Sequence, residues 1–283
     1  MSEMRNGCYA GLALLFATTG AAWPAPAQKT ELVDLVPHRA VYDLKLTSAR
    51  GNRPVESVRG RILYDFSGSR CEGYALQFRQ VSQIDTGEGQ LMTTDMRSTS
   101  WEEGGAKSFR FSSQNFVDNK LRSSVDGRAE RGGPRVGVNL TKPGVKKFGI
   151  ESGIFFPTDH MRRIILAARD GKSLLQGPVY DGSESGEKVY ETLSVIGAAI
   201  DPDVRKPDDA AAKDDQLSKM RRWPVTISYF EKSKKGGEQM PVYSIRFEIY
   251  ENGISRALSL DYNDFIVAGE MTSVEIRPAK PCK

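Results

Sequence analysis

The chain is poor in the residues that most often carry chemistry. Its 283 residues include three cysteines and two histidines, His38 and His160. No H-E-x-x-H, C-x-x-C or closely spaced histidine pair is present to hold zinc, so no metal site is expected. G-x-G-x-x-G and G-x-x-x-x-G-K-[ST] are missing too, which removes the usual phosphate cradles and leaves no cofactor to expect. There is no G-x-S-x-G elbow; a Ser-His-acid arrangement is spatial and stays open, but no residue is singled out as catalytic. Long apolar runs are also lacking. The best, residues 9–19, falls short of the roughly 20 residues a membrane-spanning helix needs, and nothing later approaches it. Charge of one sign is not in excess: 40 Lys and Arg oppose 36 Asp and Glu, a net of +4. Basic and acidic residues alternate along most segments, so nucleic-acid binding is not indicated and weak contact with anionic envelope surfaces is the most the charge suggests.

What the first residues do contain suits a translocon. Arg5 precedes the apolar stretch, and Ala25-Pro26-Ala27 stands before Gln28, the small-residue pattern of a cleavage site. Residues 1–27 are expected to be a cleaved signal peptide and 28–283 the mature chain, delivered to the periplasm with no transmembrane segment. Cys8 precedes the apolar run instead of ending it, the wrong order for lipid attachment. Cleavage leaves Cys71 and Cys282. Two cysteines allow one intramolecular connectivity, and an oxidising compartment favours it; two buried reduced thiols are the alternative. Closing a loop of about 210 residues stabilises by roughly 5 kcal/mol in the chain-entropy model, as an upper value.

Most of the mature chain has the period of two that half-buried strands require. Tyr42, Leu44 and Leu46 alternate with Asp43 and Lys45. Val58, Ile62, Tyr64 and Phe66 share a face, as do Tyr74, Leu76 and Phe78, then Phe109 and Phe111. The same pattern returns in Val225, Ile227 and Tyr229, in Tyr243, Ile245, Phe247 and Ile249, in Leu258, Leu260 and Tyr262, and in Val274 and Ile276. Turn chemistry is read at Ser67-Gly68, Gly87-Glu88-Gly89, Glu103-Gly104-Gly105, Asn119, Asp126-Gly127, Asn252-Gly253 and Ala268-Gly269. Consecutive antiparallel hairpins follow, in one large β domain or two small ones. The aromatic rows are core or the lining of an apolar groove.

One segment changes period to 3.6. Met161, Ile164, Ile165 and Ala168 make an amphipathic helix, with Pro157 and Thr158 suited to its start, Asp159 to its positive end and Gly171 to its stop. It is expected to plug or cover a curved sheet. His160 then sits in the first helical turn, either contacting a ligand or holding helix to sheet through a hydrogen bond. Asp181, in Tyr180-Asp181-Gly182-Ser183, either faces a ligand or makes a tight turn. Residues 201–222 are charged, contain Pro202 and Pro207 and lack an apolar face, and so read as an excursion from the fold, a short solvated helix over 209–220 or a mobile loop.

Four strings taken together resemble a known family: Pro37-His38-Arg39-Ala40-Val41-Tyr42-Asp43-Leu44, Phe156-Pro157-Thr158-Asp159-His160, Tyr180-Asp181-Gly182, and Cys71 with a near-terminal Cys282. In order and combination they resemble the EipB-like periplasmic cell-envelope integrity proteins over essentially the whole mature chain. The resemblance implies a mainly β, single spiral-like domain of two strongly curved antiparallel sheets with one inserted helix, and a disulfide between Cys71 and Cys282. It implies no catalytic residues.

The function expected is therefore a non-catalytic periplasmic binding or scaffold protein that supports envelope integrity. A carrier of a lipid or other apolar ligand, held between sheet and helix, is the alternative; a periplasmic hydrolase is a third reading. Expected partners are periplasmic or envelope proteins, including helical-repeat proteins, or lipid and cell-wall components.

Overall fold

A computed structural model describes residues 33–50, 55–87, 89, 91–232, 239–279 and 282. The expected signal peptide lies outside the described residues. Fourteen strands, β1 (His38–Ala49), β2 (Ser57–Ser69), β3 (Gly73–Asp85), β4 (Leu91–Glu102), β5 (Ser108–Val117), β6 (Lys120–Arg131), β7 (Arg135–Lys142), β8 (Lys146–Glu151), β9 (Leu174–Val179), β10 (Tyr190–Ile196), β11 (Arg222–Glu231), β12 (Tyr243–Tyr250), β13 (Ser255–Asp261) and β14 (Phe265–Ile276), are joined by one helix, α1 (Pro157–Arg169). All named strands pair antiparallel in a single sheet of order β8-β7-β6-β5-β4-β3-β2-β1-β14-β13-β12-β11-β10-β9. The two curved sheets that the resemblance implies are thus the two halves of one ladder, made continuous by β1, which pairs with β14 from His38↔Ile276 to Ala49↔Phe265.

The helix explains the curl. Ile164 and Ile165 are fully buried among Phe66 and Tyr74 of β2 and β3 and Val225, Ile227, Phe247 and Ile249 of β11 and β12. Strands far apart in the sheet order therefore turn the same face toward one helix. Burying each isoleucine contributes about 1.5–3 kcal/mol. The sheet stays unclosed, since β8 and β9 end the order, but the chain leaving β8 approaches the other edge: Phe155 N–H donates to Pro178 O (2.7 Å) and Tyr180 N–H to Phe155 O (3.0 Å).

The helix stop follows the residues expected. Gly171 has φ +70°, its N–H donates to Ala168 O (3.1 Å) and the Lys172 N–H to Ala167 O (2.9 Å), the paired bonds of a glycine-terminated helix. The start differs. Pro157 opens the helix, but Phe156 holds the cap position and no local side chain caps it. Three of the expected turns also differ: Ser67-Gly68 lies within β2, paired with Ala75 and Tyr74, Asp126-Gly127 lies within β6 at a register shift, and Ala268-Gly269 lies within β14. Packing is the reason for the last two. A Cβ on Gly127 would stand 2.7 Å from Leu140 and 2.8 Å from Phe111, and one on Gly269 3.1 Å from Leu258. The chain reverses between β13 and β14 at Asn263 instead, whose φ is +70°.

Residues 201–222 are not the solvated excursion that their composition suggests. They form turns and one short 3-10 helix, Ala211–Lys213, and the side chains of Ala212 and Leu217 are completely buried against Tyr42, Tyr250 and Met271. Charge docks the segment as well, through Asp209 and Arg256, described below. Cys71, just after β2, is bonded to Cys282 with their Cα atoms 5.6 Å apart, tying the chain's end to the β2–β3 turn.

Candidate functional site

A buried polar constellation gathers at the helix N-terminus, and its central residue comes from β4. Glu102 is buried and its two carboxylate oxygens accept the N–H groups of Thr158 and Asp159, each at 2.8 Å. It supplies from across the fold the cap that the local sequence lacks, at the end of the helix where negative charge is favoured. Burial nevertheless pushes its pKa up to about 7, against the lowering effect of the two amide bonds. Sequence reasoning read Glu103-Gly104-Gly105 as a turn and passed over Glu102. Nothing in a strand-final glutamate marks it as a cap for a helix 55 residues later.

His160 is 1% exposed. Its Nε2 lies 3.2 Å from Oγ of Ser194 on β10, and its ring stacks on Phe155 with centroids 5.8 Å apart. Desolvation lowers its pKa to about 4, so the ring is neutral at physiological pH. The acid next to it, Asp159, is engaged by Arg163 at 2.8 Å, and that guanidinium also covers Phe155 at 4.6 Å. A histidine, a serine and an acid are therefore neighbours, but Ser194 is buried too, and a substrate reaching its hydroxyl would have to displace the helix. As built, the contact fastens helix to sheet.

Asp181 is part of a turn. Its Oδ1 accepts the Ser183 N–H at 2.9 Å, with Gly182 at φ +69°, and burial raises its pKa. Tyr180 beside it is fully buried and donates to Gly186 O at 2.7 Å. His38 is likewise inward, with Nδ1 2.8 Å from Val36 O and its ring stacked on Tyr64 at 5.4 Å. The structure brings His160 to Ser194 but does not bring His38, Asp181 or the Cys71–Cys282 bridge to the same place.

Two features were invisible in the sequence. Arg256 and Arg222 are buried and share Glu248: Arg222 Nε reaches its Oε2 at 2.6 Å, Arg256 Nη1 reaches the same atom, and Arg205 takes the other oxygen. This network stitches β11, β12 and β13 to residues 201–222. The other is an aromatic row across the sheet: Tyr190, Tyr229, Tyr243, Tyr262 and Phe265 follow one another at centroid distances of 6.1, 6.0, 5.3 and 5.1 Å. Gln80 on β3 contacts its Tyr262 hydroxyl from the opposite half of the sheet, 3.3 Å away.

Open grooves lie elsewhere. One of about 480 Å³ runs over β4–β7 beside Trp101, Arg110 and Arg128, which are successive cross-strand partners. The Arg110 guanidinium covers the Trp101 ring at 5.2 Å. Another, of about 550 Å³, is lined by Arg122, Ser123, Ser124, Lys142, Pro143 and Glu184. Among the described residues no group of His, Cys, Asp and Glu is placed to hold a metal, and no helix is long and apolar enough to cross a membrane.

Fold and site together define a β-barrel-like protein whose buried polar groups hold its own parts in place. The comparisons are specific about which one. The EipB-like family model matches residues 29–278, and the chain belongs to that family. It is 37% identical over 276 residues, covering 98% of this chain and 96% of the relative, to the cell envelope integrity protein EipB of Brucella abortus strain 2308. A crystal structure of a β-barrel-like protein of a domain of unknown function from Brucella abortus superposes with a TM-score of 0.80 at 36% identity, covering 87% of this chain and 100% of that one. This homology supports a role in cell envelope integrity.

Proposed function

We propose that the chain is an exported, non-catalytic binding or scaffold protein of the periplasm, and that it supports envelope integrity by holding other envelope components. The observation that carries this reading is the 37% identity over 98% of the chain to an envelope integrity protein. The Cys71–Cys282 bridge favours an oxidising compartment, and the export pattern of residues 1–27 agrees with it. Because the buried His160–Ser194 contact and the Glu102 cap serve the fold, we assign no catalytic residue. The partners assigned are envelope proteins, helical-repeat proteins among them, or lipid and cell-wall components. Deleting the gene is expected to raise sensitivity to detergents and cell-wall antibiotics, with the wild-type gene restoring resistance. Unchanged sensitivity would sink the reading, and crosslinking in the periplasm names the partner.

A carrier of an apolar ligand is the second reading, favoured by the half-buried row Tyr229, Tyr243, Tyr262 and Phe265. The space between helix and sheet is filled by Ile164, Ile165 and their neighbours, so a ligand would lie along the aromatic row. Native mass spectrometry of the periplasmic protein decides. A bare polypeptide mass with no uptake of added fatty acid or phospholipid removes it.

A further inference from the structure

The near-balance of charge over the whole chain hides one basic stretch. Residues 108–151, the four strands β5 to β8, hold nine Lys and Arg against four Asp and Glu, a net of +5 that exceeds the +4 of the whole chain. These strands form one end of the sheet, and antiparallel pairing brings the β5–β6 and β7–β8 turns to the same rim. At each turn an apolar side chain stands between cations, one at the start of β6 and one within the β7–β8 turn. Leu121, 53% exposed, stands between Lys120 and Arg122; Val145, 84% exposed, stands between Lys142 and Lys146-Lys147.

Exposed aliphatics at turn tips have no role in the core, and the cations around them are not spent on ion pairs. Lys120, Arg122, Lys142 and Lys147 have no ion-pair partner among the described residues, whereas Lys146 pairs with Glu187. The nearby carboxylates are occupied: Asp118 accepts the Thr93 N–H at 2.9 Å, and Glu184 is held by Lys188 and Tyr190. Beside these turns lies the groove lined by Arg122, Lys142, Ser123, Ser124 and the already engaged Glu184. Paired cations and hydroxyls suit a phosphate monoanion or diester, and flanking aliphatics suit the headgroup–acyl boundary.

We propose that this rim is a membrane-contact surface: the β5–β6 and β7–β8 turns rest on a bilayer of anionic phospholipid, Leu121 and Val145 enter its interface, and the Arg122–Lys142 groove receives a headgroup phosphate. A soluble polyanion would use the cations but leave Leu121 and Val145 in water, which is why the lipid surface is preferred. The inference goes beyond the envelope role by naming the surface that touches the envelope. It is tested in vitro, so its failure leaves that role standing.

The test uses residues 28–283, which contain every described element, with phosphatidylcholine vesicles prepared with and without phosphatidylglycerol. Cosedimentation is expected only with the anionic vesicles, and added salt is expected to release the protein. Lys142→Gln combined with Lys147→Gln should lower the partition coefficient about thirtyfold, since each basic residue near an anionic surface contributes about fivefold. Val145→Trp should show a blue-shifted emission on anionic vesicles, and the unaltered thermal melt of these exposed-turn variants keeps the result interpretable. Equal binding to neutral vesicles, no binding to either, or undiminished binding of the double variant overturns the proposal. So does release of the protein by inorganic phosphate alone, which would make the groove a free-phosphate site, or binding to soluble polyphosphate with vesicles ignored.

Discussion

Asp209 and Arg256, 47 residues apart, face each other as a two-pronged ion pair, with contacts of 3.0 Å between Nη2 and Oδ1 and 3.2 Å between Nε and Oδ2. Both side chains are buried, so each charge depends on the other. Asp209→Ala strands the Arg256 guanidinium beside a single remaining acceptor, Glu248. Breaking a buried pair in this way costs about 3–5 kcal/mol. Urea unfolding should show the midpoint falling with the slope unchanged; a loss within error of zero would mean that residues 201–222 do not dock as described.

The same docking is tested from its apolar side. Leu217 is completely buried, and Leu217→Ala should destabilise by about 2–5 kcal/mol, the range for truncating a core leucine. A solvated loop would lose nearly nothing. Limited proteolysis within 201–222 should accelerate in this variant and in Asp209→Ala alike.

For the disulfide, Cys71→Ser or Cys282→Ser should each cost about 2–5 kcal/mol and lower the melting temperature by several degrees or more. The double variant should match either single one, because the first change already removes the bond. Free-thiol titration of denatured, unreduced protein beginning at Gln28 should find none; two reactive thiols per chain would disprove the bridge.

A fourth prediction concerns pH, where two buried groups oppose each other. Glu102, raised by burial to about 7 from the ordinary 4.5, holds its proton more tightly when folded, so its contribution is full below about pH 4.5 and is lost as pH rises through about 7. His160, lowered to about 4 from 6.5, does the reverse: its contribution is full above pH 6.5 and is lost as pH falls through about 4. Each swing is on the order of 3 kcal/mol. Between about pH 4.5 and 6.5 the two slopes oppose each other in the wild type, with Asp181, raised by burial, on the side of Glu102 and His38, also lowered by burial, on the side of His160. Relative to the wild type, Glu102→Gln should therefore tilt the stability profile upward with pH across that window, and His160→Gln should tilt it downward. Denaturant midpoints measured at several pH values check this; parallel profiles for all three proteins would refute it.

The alternation of side chains was enough to read much of this fold. Tyr42-Leu44-Leu46, Val225-Ile227-Tyr229 and Tyr243 to Ile249 carry a pattern that only strands satisfy, because one face is core and the other solvent. The helix at Met161, Ile164, Ile165 and Ala168, with Gly171 as its stop, was equally legible, since both its period and its terminator are local. Strand β4 was not. Its inner-facing Ser98 and Ser100 and outer Arg97 and Thr99 are polar on both sides, so no alternation marks it, and only pairing with β3 and β5 makes it a strand. Gly127 and Gly269 misled for a related reason: glycine signals a turn locally, yet here it makes room for Leu140, Phe111 and Leu258.

By itself the sequence determined that the chain is mainly β with one amphipathic helix, that Cys71 and Cys282 are the two cysteines beyond the apolar stretch near its start, and, through the order of four short strings, which family it resembles. Each of these depends on neighbours in the chain or on residue types alone. Only the tertiary structure decided that Glu102 caps the helix, that Ser194 meets His160 and that Asp209 finds Arg256. Those relationships join residues whose separation along the chain carries no signal. They arise because curling a fourteen-stranded ladder around a helix turns distant strands toward one another, where buried charge must be paired and orphan amides must find an acceptor.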